Sequence, residues 1–246
     1  MKKYVKNPLM LLATGLVIVG ASGAGATRAA MTYSTEAEQV DFSTSKLSVD
    51  IMELQKKDYV SVKESALSFT SIMEELNLTD NDKENDRPLT IGKAYPEEVQ
   101  VVNDSTGNYK EYVRVVVKKG WTDVDGKKDL FLNPSLIKLG VSADWITASE
   151  STEEEQIYYF NRPLNNGEAV KFLESITIDN EVLTYVKTVD GDVAGTVVNE
   201  YKYNDKKFFV ELRVDAVQEH NAKDAILGAW GVNATLDSNG QITDIN

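Results

Sequence analysis

The 246-residue chain has no cysteine, which excludes disulfides, thiolate catalysis and thiolate-bound metal. It has one histidine, His220. A zinc site built on several histidines is therefore impossible, and a Ser-His-Asp triad would have to use that residue. Glu219-His220 ends the best strand pattern in the chain, beside a helix start, and reads as structural. Phosphate-binding glycine loops, a dinucleotide fingerprint, a Gly-x-Ser-x-Gly elbow and a His-Glu-x-x-His pair are all missing. Positive charge is scarce, with 26 Lys and Arg against 39 Asp and Glu and a net charge of −13. Such a chain repels nucleic acid and anionic lipid.

Long apolar runs are also few. The notable one is N-terminal, where Lys2, Lys3 and Lys6 precede the apolar stretch from Pro8 to Gly20 and then the small residues Ala21 to Ala26. That order is a secretory signal peptide, too short and glycine-rich for a membrane span. Its removal predicts an exported protein with no stable membrane insertion, one domain over 31–246, and 22 basic against 39 acidic residues. An Ala-x-Ala reading puts the cut before Thr27.

What remains is rich in strand signals. Phe42, Leu47, Val49 and Ile51 follow a partial period of two, as in a half-buried strand. Ser61 to Glu64 has the form of a capping box, and Val62, Ala66, Phe69, Met73 and Leu76 make one stripe of an amphipathic helix. Residues 77–90 are a polar, acidic loop. Val113, Val115 and Val117 alternate with Arg114, which fits an antiparallel sheet with one wet face. Further strands are expected at 98–102, 156–160, 170–178, 183–189 and, most clearly, at 208–216. Asn221 is placed to cap a short helix, 222–229, with Gly228 and Gly231 favouring an early end. The tail from Thr235 has a turn at Asp237 to Gly240 and little else. The expected fold is mainly β, an antiparallel β-sandwich with short helical insertions.

Candidate ligand sites are few. Asp123, Asp125 and Asp129 surround the turn glycine Gly126, and Asp80, Asp82, Glu84 and Asp86 alternate along the acidic loop; both are weak calcium candidates, since neither completes a twelve-residue calcium loop. Short Asp-Gly turns also arise for backbone reasons alone. Tyr158, Tyr159, Phe160, Tyr201, Tyr203 and Phe208 are candidates for a sugar-binding face, or are ordinary strand residues. A monomeric binding module for carbohydrate or calcium is thus the alternative function. No catalytic residues and no other cofactor are expected.

Two stretches carry a family resemblance. The first runs from Gly15-Leu-Val-Ile-Val-Gly20 through Thr27-Arg-Ala-Ala30 and Met31-Thr-Tyr-Ser to Val40-Asp-Phe-Ser-Thr-Ser-Lys-Leu-Ser-Val49. The second is Val214-Asp-Ala-Val-Gln218 with Ala225-Ile226 and Ala229-Trp230-Gly231. Together they cover about a third of the chain, and they resemble the TasA/camelysin family of secreted biofilm matrix proteins of Gram-positive bacteria. The resemblance implies a SipW-type signal peptidase cutting between Ala30 and Met31, a jelly-roll-like sandwich, and a structural, non-enzymatic role at the cell surface or in the extracellular matrix. It also implies self-association into fibres by strand exchange, with residues 31–51 as donor and Phe42, Leu47, Val49 and Ile51 as its apolar teeth. The same residues serve equally as the first strand of the chain's own sheet. The peptidase activity ascribed to the camelysin branch has no matching motif here, and neither a Leu-Pro-x-Thr-Gly sorting signal nor a C-terminal apolar anchor is present.

Overall fold

A computed structural model describes residues 47–63, 65–76, 89–190 and 196–246. The signal segment with Ala30 and Met31, the donor residue Phe42, and the acidic loop with Asp80, Asp82, Glu84 and Asp86 lie outside the described residues. No described helix is long and apolar enough to cross a membrane.

Two antiparallel sheets face each other. The first contains β1 (Val49–Gln55), β2 (Asp58–Ser61), β4 (Ala94–Asn103), β7 (Ile137–Val141) and β10 (Ala169–Ile178), in the order β2-β1-β4-β10-β7. The second contains β3 (Ser65–Ala66), β5 (Glu111–Thr122), β8 (Trp145–Thr147), β9 (Glu155–Phe160) and β13 (Lys207–Gln218), in the order β3-β13-β5-β9-β8, with β6 (Lys128–Asp129) against the end of β5. β-Branched residues at every second position explain the strands: Val113, Val115 and Val117 of β5 meet Val99 and Val101 of β4 in the shared core. Aromatic rings fill its β8–β9–β10 side, with Trp145 4.9 Å from Phe172 and 5.1 Å from Phe160 between ring centroids.

The strands define two poles. Val49 lies opposite Asn103, and Glu111 opposite Gln218. Bonds from Asn103 Nδ2 to Leu164 O and between Glu111 and Leu164 bring these ends together. This is the proximal pole, where the described chain begins. At the distal pole Thr122 lies opposite Lys207, and Ile178 opposite Ile137. Lys119 Nζ there donates to Ile137 O across the sandwich at 2.5 Å.

A second core lies on the outer face of the second sheet. Helix α2 (Ala222–Trp230) and the hairpin β14 (Ala234–Leu236)–β15 (Ile242–Ile245) pack on Tyr112, Tyr159 and Val217. The wet face expected beside Arg114 is therefore covered. Arg114 Nε donates to Asp215 at 2.9 Å, and its guanidinium lies over the Trp230 ring. The tail that promised only a turn is this hairpin, tied down by Tyr112 Oη donating to Gly240 O at 2.7 Å.

The helix expected from Ser61 is mostly strand. Residues 58–61 pair with β1 and 65–66 with β13, leaving only α1 (Thr70–Glu75) helical. Its start is set by Glu53, whose carboxylate accepts the Ser68 and Phe69 N–H groups and the Ser68 hydroxyl at 2.9–3.1 Å. Phe69 takes a left-handed turn there, with φ 55°. A sheet edge that offers hydrogen bonds on both sides of residue 62 outcompetes an isolated amphipathic helix, whose stability depends on packing. Val62, Leu67 and Ile72 enter the core, whereas Ala66 is exposed. Two smaller shifts follow. Leu183 belongs to a 3-10 turn (Asn180–Thr184) before β11 (Val186–Asp190), and Gly228 sits inside α2, which ends at a left-handed Gly231. Asn221 precedes that helix with φ 53° and makes no side-chain cap.

Candidate functional site

β13 is the longest edge-facing strand of the second sheet. One side pairs with β5 along all twelve residues. The other side meets β3 at only Glu211 and Leu212, with one further bond from Leu67 N to Val210 O at 2.9 Å. Backbone alternation turns the N–H and C=O groups of Val214 and Ala216 to that same side, and no described strand pairs with them there. The reason is local: the chain crosses from β2 in one sheet to β3 in the other near residue 63, so among the described residues no strand pairs with the proximal half of the edge.

This stretch of the edge lies at the proximal pole, beside the start of the described chain, and Val214 and Ala216 are both buried there. Ser48 N donates to Ser105 Oγ at 2.8 Å, and Ser48 O accepts from Asp104 N at 2.9 Å. Leu47 is buried in the inter-sheet core. Val49 and Ile51 are core residues of β1, which is flanked by β2 and β4 of the same chain. Three of the four donor teeth therefore serve the chain's own sandwich, and any donor is narrowed to residues before Leu47.

A buried polar cluster lines this pole. Asn103 Nδ2 bonds Tyr109 O and Leu164 O, both at 3.0 Å, and its Oδ1 accepts Ser105 N. Ser105 Oγ donates to Glu111 Oε2 at 3.0 Å, while Glu111 Oε1 is buried without a partner. Burial pushes the Glu111 carboxyl up to about 8, aided by Asp104 and opposed by the Ser105 bond and Lys63. A second buried acid, Glu97, is pushed up to about 9 by burial and by the neighbouring Glu53. The Glu53 and Glu97 carboxyls are neighbours closed off from solvent, and Glu53 holds the turn before α1. Neither cluster presents a nucleophile and base to an open cleft.

The sequence analysis passed over Glu53, Glu97 and Glu111, although the signal existed. Each lies two residues from a core valine or isoleucine: Ile51, Val99 and Val113. Period two carried through the strand ends places all three inward.

The other candidates are dispersed. Asp123 Oδ1 accepts Asp125 N and Lys127 N, which fixes its own turn. Asp129 accepts Phe131 N and pairs with Lys206 at 3.0 Å, which holds its carboxyl below the usual range. Among the described residues no three His, Asp or Glu side chains gather as a metal site would require. Tyr158, Tyr159 and Phe160 are buried, Tyr203 packs on Trp121, and Phe208 on Phe69, so only Tyr201 of the six aromatics is exposed. His220 is exposed after β13. Family models, curated proteins and solved structures yield no match to this chain.

Proposed function

We propose that this chain is a secreted, non-enzymatic structural protein that assembles into extracellular fibres or a surface coat, in the manner of the TasA/camelysin proteins it resembles. A SipW-type signal peptidase releases it at Ala30–Met31. Residues 31–46 of one copy, with Phe42 as the principal tooth, then complete the second sheet of the next copy. The observation that supports this reading is the proximal half of the β13 edge, where Val214 and Ala216 present backbone groups to no described strand. A sheet edge that lacks a partner strand is a template for a strand from another molecule, and a head-to-tail addition that does not close produces a filament. The jelly-roll-like arrangement belongs to the same proposal, and the chain's repeated crossing between the two sheets is compatible with it.

The test is negative-stain electron microscopy of purified 31–246 and of the same protein lacking 31–46. Filaments from the first and folded monomers from the second are expected. Equal filament formation by both would rule out strand exchange, and monomers from both would remove the fibre reading.

A further inference from the structure

The chain holds two Asn-Gly pairs, Asn166-Gly167 and Asn239-Gly240. This dipeptide is chemically labile, because a glycine has no Cβ to keep its backbone nitrogen away from the preceding side chain. Hydroxide removes the proton of the glycine N–H, and the nitrogen attacks the asparagine Cγ. A new N–C bond forms, the Cγ–Nδ2 bond breaks, and the leaving nitrogen takes a proton from water, which regenerates hydroxide and releases ammonia. The cyclic succinimide that remains adds water. It opens to aspartate, or to isoaspartate, in which the main chain runs through Cβ and Cγ.

Exposure does not separate the two pairs, since both asparagines are exposed. Nor does the backbone, since Gly167 has φ 72° and Gly240 φ 80°. Hydrogen bonding does. Asn166 Nδ2 donates to Ser105 O, and Gly167 N donates to Asn103 O at 2.8 Å, so the leaving and the attacking nitrogen are both tied to a distant part of the chain. Among the described residues the Asn239 side chain has no hydrogen-bond partner, and only its backbone N–H is engaged, by Asp237 Oδ1 at 2.8 Å. Gly240 N makes one bond, inside its own turn, to Asp237 O at 3.2 Å. The glycine is required there. A Cβ at 240 would stand 3.1 Å from Tyr112 Oη on a backbone that side chains rarely adopt. The turn that anchors the hairpin therefore carries the residue that makes its neighbour labile.

We propose that Asn239 is a site of spontaneous deamidation, that the fold spares Asn166, and that isoaspartate at 239 unfastens the C-terminal hairpin from the second sheet. The added main-chain carbon falls between Asn239 N and Gln241 N, which Asp237 Oδ1 holds together at 2.8 Å each. It also precedes the Gly240 carbonyl that Tyr112 grips. The new carboxylate stands beside Asp237, a charge of the same sign. Ile242 and Ile245, which cover the outer core from this hairpin, lose their hold in turn.

The test is peptide mapping by mass spectrometry of the full chain aged in mildly alkaline buffer, folded and in urea, with isoaspartyl methyltransferase labelling to identify isoaspartate. Deamidation of the folded chain should be roughly tenfold faster at Asn239 than at Asn166, the factor that one hydrogen bond to be broken first supplies. In urea the two rates should converge. Equal rates in the folded chain overturn the site, and the same ratio in urea overturns the role of the fold. Aged protein should exchange its β14–β15 amides several-fold faster than fresh protein. The exposed arm, β11 with β12 (Val197–Tyr201), should not change. Asn239→Ser, which has no side-chain amide to lose, should keep the exchange of fresh protein after the same treatment. Unaltered β14–β15 exchange in aged protein, or equal quickening in Asn239→Ser, overturns the unfastening.

Discussion

Two hairpins of the same plan lead opposite lives in this molecule. β14–β15 lies flat on the second sheet, with Ala234, Ile242 and Ile245 buried beside Ile226 and Trp230. β11–β12 stands at the distal pole with no buried residue, held by its own ladder and by cross-strand pairs such as Thr188 Oγ1 to Asn199 Oδ1 at 3.0 Å. Their sequences would suggest the reverse. The buried hairpin is short, polar and built around Asp237-Ser-Asn-Gly240, whereas the exposed one reads Val-Lys-Thr-Val and Val-Val-Asn-Glu-Tyr. Strand propensity is a fit to a half-buried surface rather than a property of a segment. What separates the two hairpins is whether a sheet face lies beneath them.

The largest test breaks the anchored side. Ile226→Ala empties a fully buried position in the outer core and should cost about 2–5 kcal/mol in urea denaturation. Proteolysis should then release the C-terminal segment while leaving the β11–β12 ribbon as accessible as before.

The next concerns pH, which acts on the body and spares the arm. Glu97 and Glu111 have raised values, about 9 and about 8, so the folded chain holds protons that the unfolded chain gives up at 4.5. The contribution of these two groups is complete at or below the ordinary carboxyl range and is lost as pH rises towards 8, by of order 1 kcal/mol per pH unit for each group. Melting temperatures from pH 5 to 8 should decline in the parent and flatten in a Glu97→Gln, Glu111→Gln double variant. A parent that gains stability over that window would refute the protonated state of both acids.

A smaller change sharpens the contrast. Tyr112→Phe removes only the hydroxyl bonded to Gly240 O and should cost about 1 kcal/mol. Amide exchange should quicken in β14–β15 and stay constant in β11–β12. Smallest of all, Val198→Thr in the exposed arm should shift stability by less than about 0.5 kcal/mol. A cost above 1 kcal/mol would mean that the arm packs on something in solution.

The long strands were legible because their β-branched residues alternate over enough positions to fix both the element and its register, as in 113–117 and 208–216. The helix at 222–229 was legible from its glycine stop, although Asn221, the residue read as its cap, makes no side-chain cap. The segment after Ser61 was misleading, since its helical stripe is real in sequence but competes with two sheet edges and with Glu53. The stretch of β13 that pairs with no described strand on its outer side had no sequence signal, because it depends on where the chain changes sheets. The acidic turn at Asp123 looked like a ligand loop, yet the Asp123 carboxylate is spent on two backbone N–H groups and that of Asp129 on a backbone N–H and on Lys206.

By itself the sequence determined the class of the protein. Alternating apolar residues demand antiparallel sheets with a buried face, the missing cysteine and solitary histidine close off thiol and multi-histidine chemistry, and the acidic surplus disfavours anionic partners. Those consequences follow from composition and from contacts a few residues apart. Tertiary structure decided which acids are buried, which hairpin is covered, and which stretch of the β13 edge meets no described strand. These depend on segments a hundred residues apart meeting in one place, as Tyr112 meets Gly240 and Arg114 meets Asp215. Local pattern carries no record of such meetings, because a side chain's burial is set by the surface that arrives opposite it.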